Sequence, residues 1–413
     1  MENKTVYVFM EQDAIPALVG KLFIDYGKGK ETYSFEYTED WLSLPERFAI
    51  DPALPLFRGR QYPKSQNLFG VFQDASPDRW GKTLLQRQEN ILARKNGRKP
   101  KKLLPSDYLL GVCDEARMGA LRFSLGPNEP FLSYGNKISI PPFMNLRNLE
   151  AASRAFENDE NHFEEKWIAQ LLAPGSSLGG ARPKATVRDT GGTLWLAKFP
   201  SRHDDTDVEA WEKTALDLAK MCDLAVPQTS LQKFSKFGST LLVERFDRIK
   251  TERIHFSSAM TFLQKSDGDD ASYLDIVNIL LENSANPNTD LEELWKRAVF
   301  NILISNSDDH LRNHGFLHTK TGWRLSPLYD LNPTPYGDSL SLALSFDDAT
   351  MSIDTAIETA PFYRLTVSSA KRIAAAMANI VKTNWPKTAM QNNLSRAAIE
   401  AMRPAFSLAE QSL

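Results

Sequence analysis

The chain of 413 residues is longer than one hydrophobic core usually supports, so we expect two or three subdomains, and its 42% apolar content can fill them. Its 49 basic and 52 acidic residues leave a formal net charge of −3, which excludes a global electrostatic footprint for nucleic acid or an anionic membrane. No signal peptide and no stretch of roughly 20 apolar residues is evident, so we expect a cytoplasmic protein without a membrane span.

The N-terminal part is β-rich. Short β-rich runs and glycine-bearing turns fill residues 4–37 and predict a small antiparallel sheet. A helix is expected from Ser76, which can act as N-cap, with Pro77 at the first helical position. The helix runs into residues 93–102, of which six are Lys or Arg. A solvated loop is the simpler interpretation of this basic run, and an acidic or phosphate-bearing partner is the alternative.

Residues 126–147 are rich in Pro, Gly and Asn and predict a domain boundary. Beyond it the pattern predicts a helix over residues 161–173, two strands around a "DTGG" turn, a helix near residues 207–222 and the strand "STLLVERFD". The remainder is mostly helical apart from one hairpin and the alternating run "SLSLALSF". We therefore predict an α+β protein with three segments: residues 1–130 (β-rich), residues 148–248, and residues 249–413 (mostly helical).

A lysine shares a strand face with two leucines in "TLWLAKFP". Period-two alternation places Leu194, Leu196 and Lys198 together. A buried ammonium group needs an anionic partner, because it otherwise loses its hydration or its proton. Glu212, on the helix that follows, can supply that charge. A lysine that reaches from the strand end to water is the simpler alternative.

Two glycines precede the first of the two strands around the "DTGG" turn. Gly179 and Gly180 predict a turn, with Lys184 just beyond it. Glycines let backbone N–H groups approach a phosphate closely, but this pair matches neither the Walker A pattern nor G-x-G-x-x-G. An ordinary turn therefore stays open as an interpretation.

The segment "SNSDDHLRNHGFLHTKTGWRLSPLYDL", residues 305–331, concentrates the polar chemistry. The amphipathic helix "LEELWKRAVFNILISN" delivers "SDDHLRN" at its C-terminal end, and a hairpin around "KTG" carries Asp330 back toward that loop. Asp308 and Asn313 have the D-x-x-x-x-N spacing of a kinase catalytic loop, and Asp330 matches the metal-binding aspartate of a D-F-G segment. With Lys198 and Glu212 as the strand-lysine and helix-glutamate pair, this order predicts ATP- and Mg²⁺-dependent phosphoryl transfer.

Zinc is the competing interpretation. His310, His314 and His318 fall at i, i+4 and i+8 and could share one helical face. Gly315 and the β-like "GFLHT" interrupt a helix there, so a role for His310 in holding the loop is favoured over ligation.

The motifs "SSLGGARPKA", "WLAKFP", "LLVERFD", "NSDDHLRNHGFL" and "LSPLYDL" closely resemble those of the HipA-like serine/threonine kinases, the toxins of bacterial type II toxin–antitoxin modules. The resemblance covers residues 160–335 and, more loosely, "FGVFQDASPDRWG" and "DEARMGALRFS" in the front part. It implies a HipA-like, protein-kinase-related fold with a mostly α-helical C-terminal lobe.

The resemblance also implies residue roles. Asp308 would be the catalytic aspartate, and Asn313 and Asp330 would hold Mg²⁺. Lys198 and Lys184 would contact the ATP phosphates, and the backbone of Glu244 and Phe246 would meet the adenine ring. Asp309 stands where the family commonly has glycine, which adds a charge beside the catalytic aspartate, and Arg312 stands where lysine is common.

Inhibitory autophosphorylation in this family falls on a serine of the glycine-bearing loop, and Ser177 matches it, with Ser176 as an immediate neighbour. A phosphoserine carries about −1.5 to −2 charges and does not easily share the loop with ATP phosphates, which gives a route to self-inactivation. The simpler interpretation is that both serines cap a turn.

By resemblance, the partners are a helix-turn-helix antitoxin of the HipB type, which would make DNA contact indirect, and a protein substrate such as an aminoacyl-tRNA synthetase. Two alternatives stay open. One is a kinase for a small metabolite or a lipid headgroup, and the other is a non-catalytic, ATP-binding regulatory partner of a DNA-binding antitoxin.

Overall fold

The computed structural model describes residues 3–11, 15–64, 68–132, 140–158, 171 and 180–411. The chain separates into two compact units. The first contains Met1–Arg202 and Arg245–Ser266, and the second contains His203–Glu244 and Asp267–Leu413. Sheets and helices both occur, which confirms the α+β class. The three segments expected from the sequence stay a prediction, and the predicted helix over residues 161–173 lies almost wholly outside the described residues.

The strands are short apart from the first three. In chain order they are β1 (Lys4–Met10), β2 (Ala17–Gly27), β3 (Lys30–Tyr37), β4 (Leu121–Ser124), β5 (Lys184–Arg188), β6 (Leu194–Lys198), β7 (Thr229–Gln232), β8 (Thr240–Glu244), β9 (Arg248–Ile249), β10 (Glu252–Arg253), β11 (His255–Ser258), β12 (Gly315–Thr319) and β13 (Gly322–Leu325).

The longer helices lie mainly in the second unit. In chain order the helices are α1 (Glu39–Ser43), α2 (Gly70–Asp74), α3 (Arg79–Lys95), α4 (Pro105–Gly111), α5 (Leu146–Asn158), α6 (Val208–Met221), α7 (Ala259–Phe262), α8 (Tyr273–Asn283), α9 (Pro287–Leu303), α10 (Ile353–Thr359), α11 (Val367–Gln391), α12 (Arg396–Met402) and α13 (Ser407–Gln411). Among the described residues, no helix combines the length and the apolar character that a bilayer crossing requires.

The first unit is built on an antiparallel sheet with the strand order β3-β2-β1-β4. This confirms the sheet predicted over residues 4–37 and adds β4, which the sequence pattern does not predict. Along β1, Val6, Val8 and Met10 alternate onto the buried face, as period two requires. The turn between β2 and β3 uses Lys28 and Gly29, both with positive φ, which is the geometry of a tight type I′ hairpin.

Helix α3 begins later than its sequence predicts. Asp78 is the N-cap and its carboxylate accepts a hydrogen bond from the Gly81 N–H. The predicted N-cap, Ser76, is wrong because its hydroxyl donates to the Phe72 carbonyl of the preceding helix instead. At the other end of α3, Arg98 donates to the Glu89 carboxylate over 2.9 Å, and Lys101 pairs with Asp107.

Helices α6, α8, α9 and α11 build the second unit around a buried core. The predicted apolar stripe of α9 is confirmed, since Leu291, Leu294, Trp295, Ala298 and Ile302 are all at most 2% exposed. Deep burial also extends to Arg297 and Asn301 on the same helix. The run "SLSLALSF" forms isolated bridges to Thr350 and Ser272, and its leucines are buried.

Candidate active site

Helix α9 ends at Leu303 and delivers a polar loop, residues 305–314. Ser305 has a φ of 50°, which turns the chain out of the helix, and the Asn306 side chain donates to Asn301 Oδ1 over 3.0 Å. The two adjacent aspartates then face opposite environments. Asp308 is exposed, whereas Asp309 is 3% exposed. The carboxylate available to a substrate is therefore that of Asp308, the predicted catalytic residue.

Asn313 lies five residues further along the same loop, and its amide oxygen is available. A 3₁₀ turn spans Leu311–Asn313, and the Asn313 N–H donates to the His310 carbonyl over 2.8 Å. The side chain is 4% exposed, yet Oδ1 accepts no hydrogen bond from any described residue. A buried acceptor without a donor is costly, and Mg²⁺ favours oxygen ligands of this kind. Asn313 thus fits the predicted magnesium site.

The hairpin of β12 and β13 returns the chain to this loop, as the sequence predicts. Register pairs run from Phe316 and Leu325 to Thr319 and Gly322. The Tyr329 hydroxyl then donates to the Arg312 carbonyl over 2.6 Å. Tyr329 directly precedes Asp330 and Arg312 directly precedes Asn313, so this hydrogen bond joins the two segments that carry the predicted magnesium ligands. Asp330 itself is half-buried and has a φ of 62°. A second carboxylate at this position suits a cation held together with substrate phosphates.

Asp309 lies in a buried polar network that the sequence pattern does not predict. Its Oδ2 accepts hydrogen bonds from the Tyr273 hydroxyl, from Asn301 Nδ2 over 3.1 Å and from His314 Nε2 over 2.8 Å. Burial alone would raise the pKa of Asp309, but His314 and the donated hydrogen bonds outweigh it and hold that pKa below its ordinary value. The Asp309 side chain thus faces the protein interior, where it binds three donors, whereas that of Asp308 is exposed.

The three histidines do not form the helical face on which the zinc interpretation depends. His310 precedes the 3₁₀ turn, His314 binds Asp309 and His318 lies in β12. Burial lowers the pKa of His318 to about 4, and its ring packs edge-on against Trp323. Within the described part of the chain, no three His, Cys, Asp or Glu side chains are grouped to hold a metal ion.

Two buried lysines meet in the β5–β6 pair of the first unit. Lys184 and Lys198 are register partners, and they are 4% and 8% exposed. Burial of Lys198 agrees with the predicted internal lysine and not with one that reaches solvent. Like charges opposite each other on a strand pair are unfavourable unless anions compensate them. The two positive charges therefore need anionic partners.

Asp78 supplies one such anion. Its Oδ2 lies 2.9 Å from Lys184 Nζ, and both side chains are nearly inaccessible to solvent. The first turn of α3 also reaches this strand, since Trp80 Nε1 donates to the Lys184 carbonyl over 3.0 Å and the Trp80 N–H to the Gly180 carbonyl. Gly180 has a φ of 86°, a conformation that favours glycine. Residues of the "SPDRWG" motif thus bind the end of the glycine-bearing turn and the strand that follows it.

Other predicted site residues keep their roles as predictions. Glu212 is buried on α6 of the second unit, whereas Lys198 belongs to the first, so their pairing stays a prediction. Glu244 ends β8, with its N–H donating to the Gln228 carbonyl, and Phe246 is half-buried near Phe256. Gly179, Ser176 and Ser177 lie outside the described residues.

Comparison with known proteins identifies the family. The model of the HipA-like C-terminal domain matches residues 176–385, just over half of the chain, and that of the HipA N-terminal domain matches residues 10–124. The chain belongs to the HipA family. The two matches together include both the glycine-bearing turn and the loop of Asp308.

Individual HipA relatives are distant in sequence. The chain is 27% identical to "Putative kinase Y4dM" of Sinorhizobium fredii over 325 residues, 68% of this chain and 69% of that protein. It is 24% identical to the serine/threonine-protein kinase toxin HipA of Shewanella oneidensis over 370 residues, 80% of this chain and 77% of that protein.

A solved structure extends the likeness to the fold. The HipA chain from a complex of Shewanella oneidensis HipA, HipB and operator DNA matches with a TM-score of 0.68 at 18% identity. The match covers 98% of this chain and 97% of that one. The fold is therefore HipA-like over nearly the whole length.

Proposed function

We propose that this HipA-family chain is an ATP- and Mg²⁺-dependent serine/threonine-protein kinase that acts as the toxin of a type II toxin–antitoxin module in the cytoplasm. The observation that carries the proposal is the contrast within the 305–314 loop. An exposed carboxylate, Asp308, is followed five residues later by Asn313, whose buried amide oxygen accepts no hydrogen bond from the described residues. The catalytic loop of protein kinases has a proton acceptor and an amide ligand in this order.

The lysine pair supports the nucleotide half of the proposal. Lys184 and Lys198 face each other across β5 and β6 in a nearly solvent-free environment. ATP phosphates would add negative charge beside the two lysines, one of which Asp78 already contacts, and charge-assisted hydrogen bonds to phosphate are stronger than neutral ones. Gly180 beside Lys184 Nζ leaves room for that approach. The backbone of Glu244 and Phe246 would receive the adenine ring.

The proposed reaction transfers the γ-phosphoryl group of ATP to a hydroxyl. Asp308 orients the hydroxyl and accepts its proton while the oxygen forms a bond to the γ-phosphorus. The bond between that phosphorus and the oxygen bridging to the β-phosphate breaks, and ADP leaves. Asn313 and Asp330 would hold Mg²⁺, which offsets the charge of the phosphates when bound. Lys184 and Lys198 hold the ATP phosphates in position for attack by the hydroxyl.

Regulation and partners follow from the family. We propose that autophosphorylation of Ser177 or Ser176 inactivates the kinase, because a phosphoserine there would compete with ATP phosphates for the glycine-bearing loop. A HipB-type antitoxin would hold the kinase and contact operator DNA, and the cellular substrate would be a translation-related protein, such as an aminoacyl-tRNA synthetase. The structural similarity to HipA from the Shewanella oneidensis complex of HipA, HipB and operator DNA supports the proposal of an antitoxin partner.

Asp308→Asn tests the central residue. We expect phosphoryl transfer to fall by at least ~100-fold, because the amide cannot accept the proton, while ATP binding persists. Asp354→Asn is the matched control, since Asp354 is also exposed and lies in the first turn of α10, outside residues 305–314. Transfer from γ-labelled ATP and binding of a fluorescent ATP analogue measure the two quantities. Unchanged transfer by Asp308→Asn would refute the assignment.

The acceptor distinguishes the proposal from its alternatives. Purified protein with Mg²⁺ and γ-labelled ATP, alone and with lysate, is analysed by mass spectrometry. Label on Ser177 or Ser176 and on a second protein supports a self-limiting protein kinase. Label that appears only on small molecules or lipids would identify a metabolite or lipid kinase of the same fold. ATP binding without any transfer would identify a non-catalytic regulatory partner of the antitoxin.

A further inference from the structure

One oxygen atom, Asp309 Oδ2, accepts hydrogen bonds from three donors that lie in separate parts of the second unit. Tyr273 lies at the start of α8, Asn301 in the last turns of α9, and His314 directly after the predicted magnesium ligand Asn313. All four side chains are buried, with Asp309 at 3% and His314 at 1% exposed. Because a carboxylate only accepts hydrogen bonds, His314 Nε2 must carry the proton that it donates. Asp309 thereby ties two helices to the end of the loop.

The same network reaches the other end of the loop. Asn301 Nδ2 also donates to the Tyr273 hydroxyl over 2.8 Å, and its Oδ1 accepts from Asn306. Asn306 precedes Asp308, and His314 follows Asn313. Both ends of the segment that carries the exposed carboxylate and the unpartnered amide oxygen are thus anchored to one buried cluster. Hydrogen bonds from several directions restrict the geometry of the side chains that they join.

We propose that Asp309 is a positioning residue, which holds Asp308 and Asn313 in register through Tyr273, Asn301 and His314. The inference rests on the proposed kinase function and deepens it. Asp309 does not touch the substrate, since it faces the interior, and its effect passes through the loop backbone. A displacement of about 1 Å in such a loop can lower a catalytic rate ~100-fold. Loss of a partner behind a metal ligand typically weakens metal affinity 10–100-fold.

Asp309→Ala and Asp309→Asn form the first pair of variants. For Asp309→Ala we expect kcat to fall ~100-fold and the Mg²⁺ concentration that promotes binding of an ATP analogue to rise at least ~10-fold. Affinity for the analogue without Mg²⁺ should change less than ~2-fold, because no phosphate or adenine contact is removed. Asp309→Asn keeps an oxygen that accepts from the same donors, so it should restore most of the lost rate.

Tyr273→Phe covers the case in which Asp309→Ala does not fold. It removes one donor and keeps the ring, and we expect a smaller shift of kcat and Mg²⁺ dependence in the same direction. Tyr37→Phe is the matched control. The Tyr37 hydroxyl is also buried, donating to the Leu54 carbonyl and accepting from the Ile50 N–H in the N-terminal sheet. It should lower the melting temperature but leave kcat and Mg²⁺ dependence unchanged.

The outcomes separate the inference from the kinase proposal. Folded Asp309→Ala and Tyr273→Phe variants with wild-type kcat and Mg²⁺ dependence would overturn the positioning role, even if their melting temperatures fall. A wild-type chain that binds the analogue with Mg²⁺ but transfers no phosphate would overturn the kinase proposal, and the Mg²⁺ titration would still decide the role of Asp309. A wild-type chain that binds no nucleotide would overturn both.

Discussion

His318 shows how one partly buried side chain links stability to pH. It lies in β12 with its ring against Trp323, at a centroid distance of 5.0 Å, and burial lowers its pKa to about 4. The unfolded chain binds a proton at this residue near pH 6.5, whereas the folded chain does not until about pH 4. The contribution of His318 to stability is therefore complete above pH 6.5 and is lost as the pH falls toward 4.

His318→Gln should remove this dependence. We expect wild-type stability, relative to that of the variant, to fall by about 2 kcal/mol between pH 7 and pH 5, because one extra proton binds the unfolded state. Thermal unfolding at pH 7, 6 and 5 measures the slopes. The matched control is Thr321→Gln at an exposed position of the same hairpin, which should keep the wild-type slope because it removes no titratable group. Parallel slopes for wild type and His318→Gln would contradict the prediction.

At the scale of elements, the segment "DEARMGALRFS" is clamped onto the chain that follows β8. Arg245 donates to the Ala116 carbonyl over 2.6 Å, and Arg248 donates to the Gly119 carbonyl over 3.1 Å. Asp247 holds both guanidinium groups and accepts the Gly119 N–H over 2.8 Å. Burial would raise the pKa of Asp247, but the two arginines outweigh it and hold that pKa at about 2. This clamp fixes the segment that carries Phe246.

Asp247→Asn should destabilise the first unit by about 3–5 kcal/mol, since two largely buried guanidinium groups lose their counter-charge. Glu39→Gln is the contrasting control, because the Arg58–Glu39 pair is 3.4 Å long with both side chains at least 75% exposed. Breaking an exposed pair costs about 0–1 kcal/mol. Denaturant unfolding measures both changes. Equal, small losses would show that the clamp contributes little.

For the molecule as a whole, the net charge bears on the proposal that an antitoxin, and not this chain, contacts DNA. The net charge of −3 is spread over 101 charged residues, with no excess of basic groups. The strongest basic run, residues 93–102, is partly neutralised within the fold by Glu89 and Asp107. Non-specific DNA binding depends on basic side chains that displace counterions from phosphates. The chain alone is therefore poorly suited to bind DNA.

We expect the purified chain to produce no sequence-specific shift of a DNA fragment taken from upstream of its own gene. Residual binding should be weak and should disappear as salt is raised from 50 to 200 mM, as for purely electrostatic contacts. An electrophoretic mobility assay with a scrambled fragment as control measures this. A salt-resistant shift of the upstream fragment alone would contradict the indirect role in DNA binding that we propose.

Much of the candidate site is readable from local pattern. The spacing of Asp308 and Asn313, the buried stripe of α9 and the hairpin that returns Asp330 all follow from short-range periodicity and turn chemistry. The misassigned N-cap illustrates the limit. Ser76 and Asp78 are both good capping residues, and the choice depends on a carbonyl of the preceding helix that takes the Ser76 hydroxyl.

The order and spacing of the chemical groups can be read from the sequence, because these are covalent and local properties of the chain. The exposure of Asp308 and the burial of Asp309 arise only on folding, since adjacent loop residues follow no periodicity. The donors that hold Asp309 come from Tyr273 and Asn301 on two separate helices. Likewise, Asp78 reaches Lys184 only through folding, because long-range contacts depend on the packing of the complete unit.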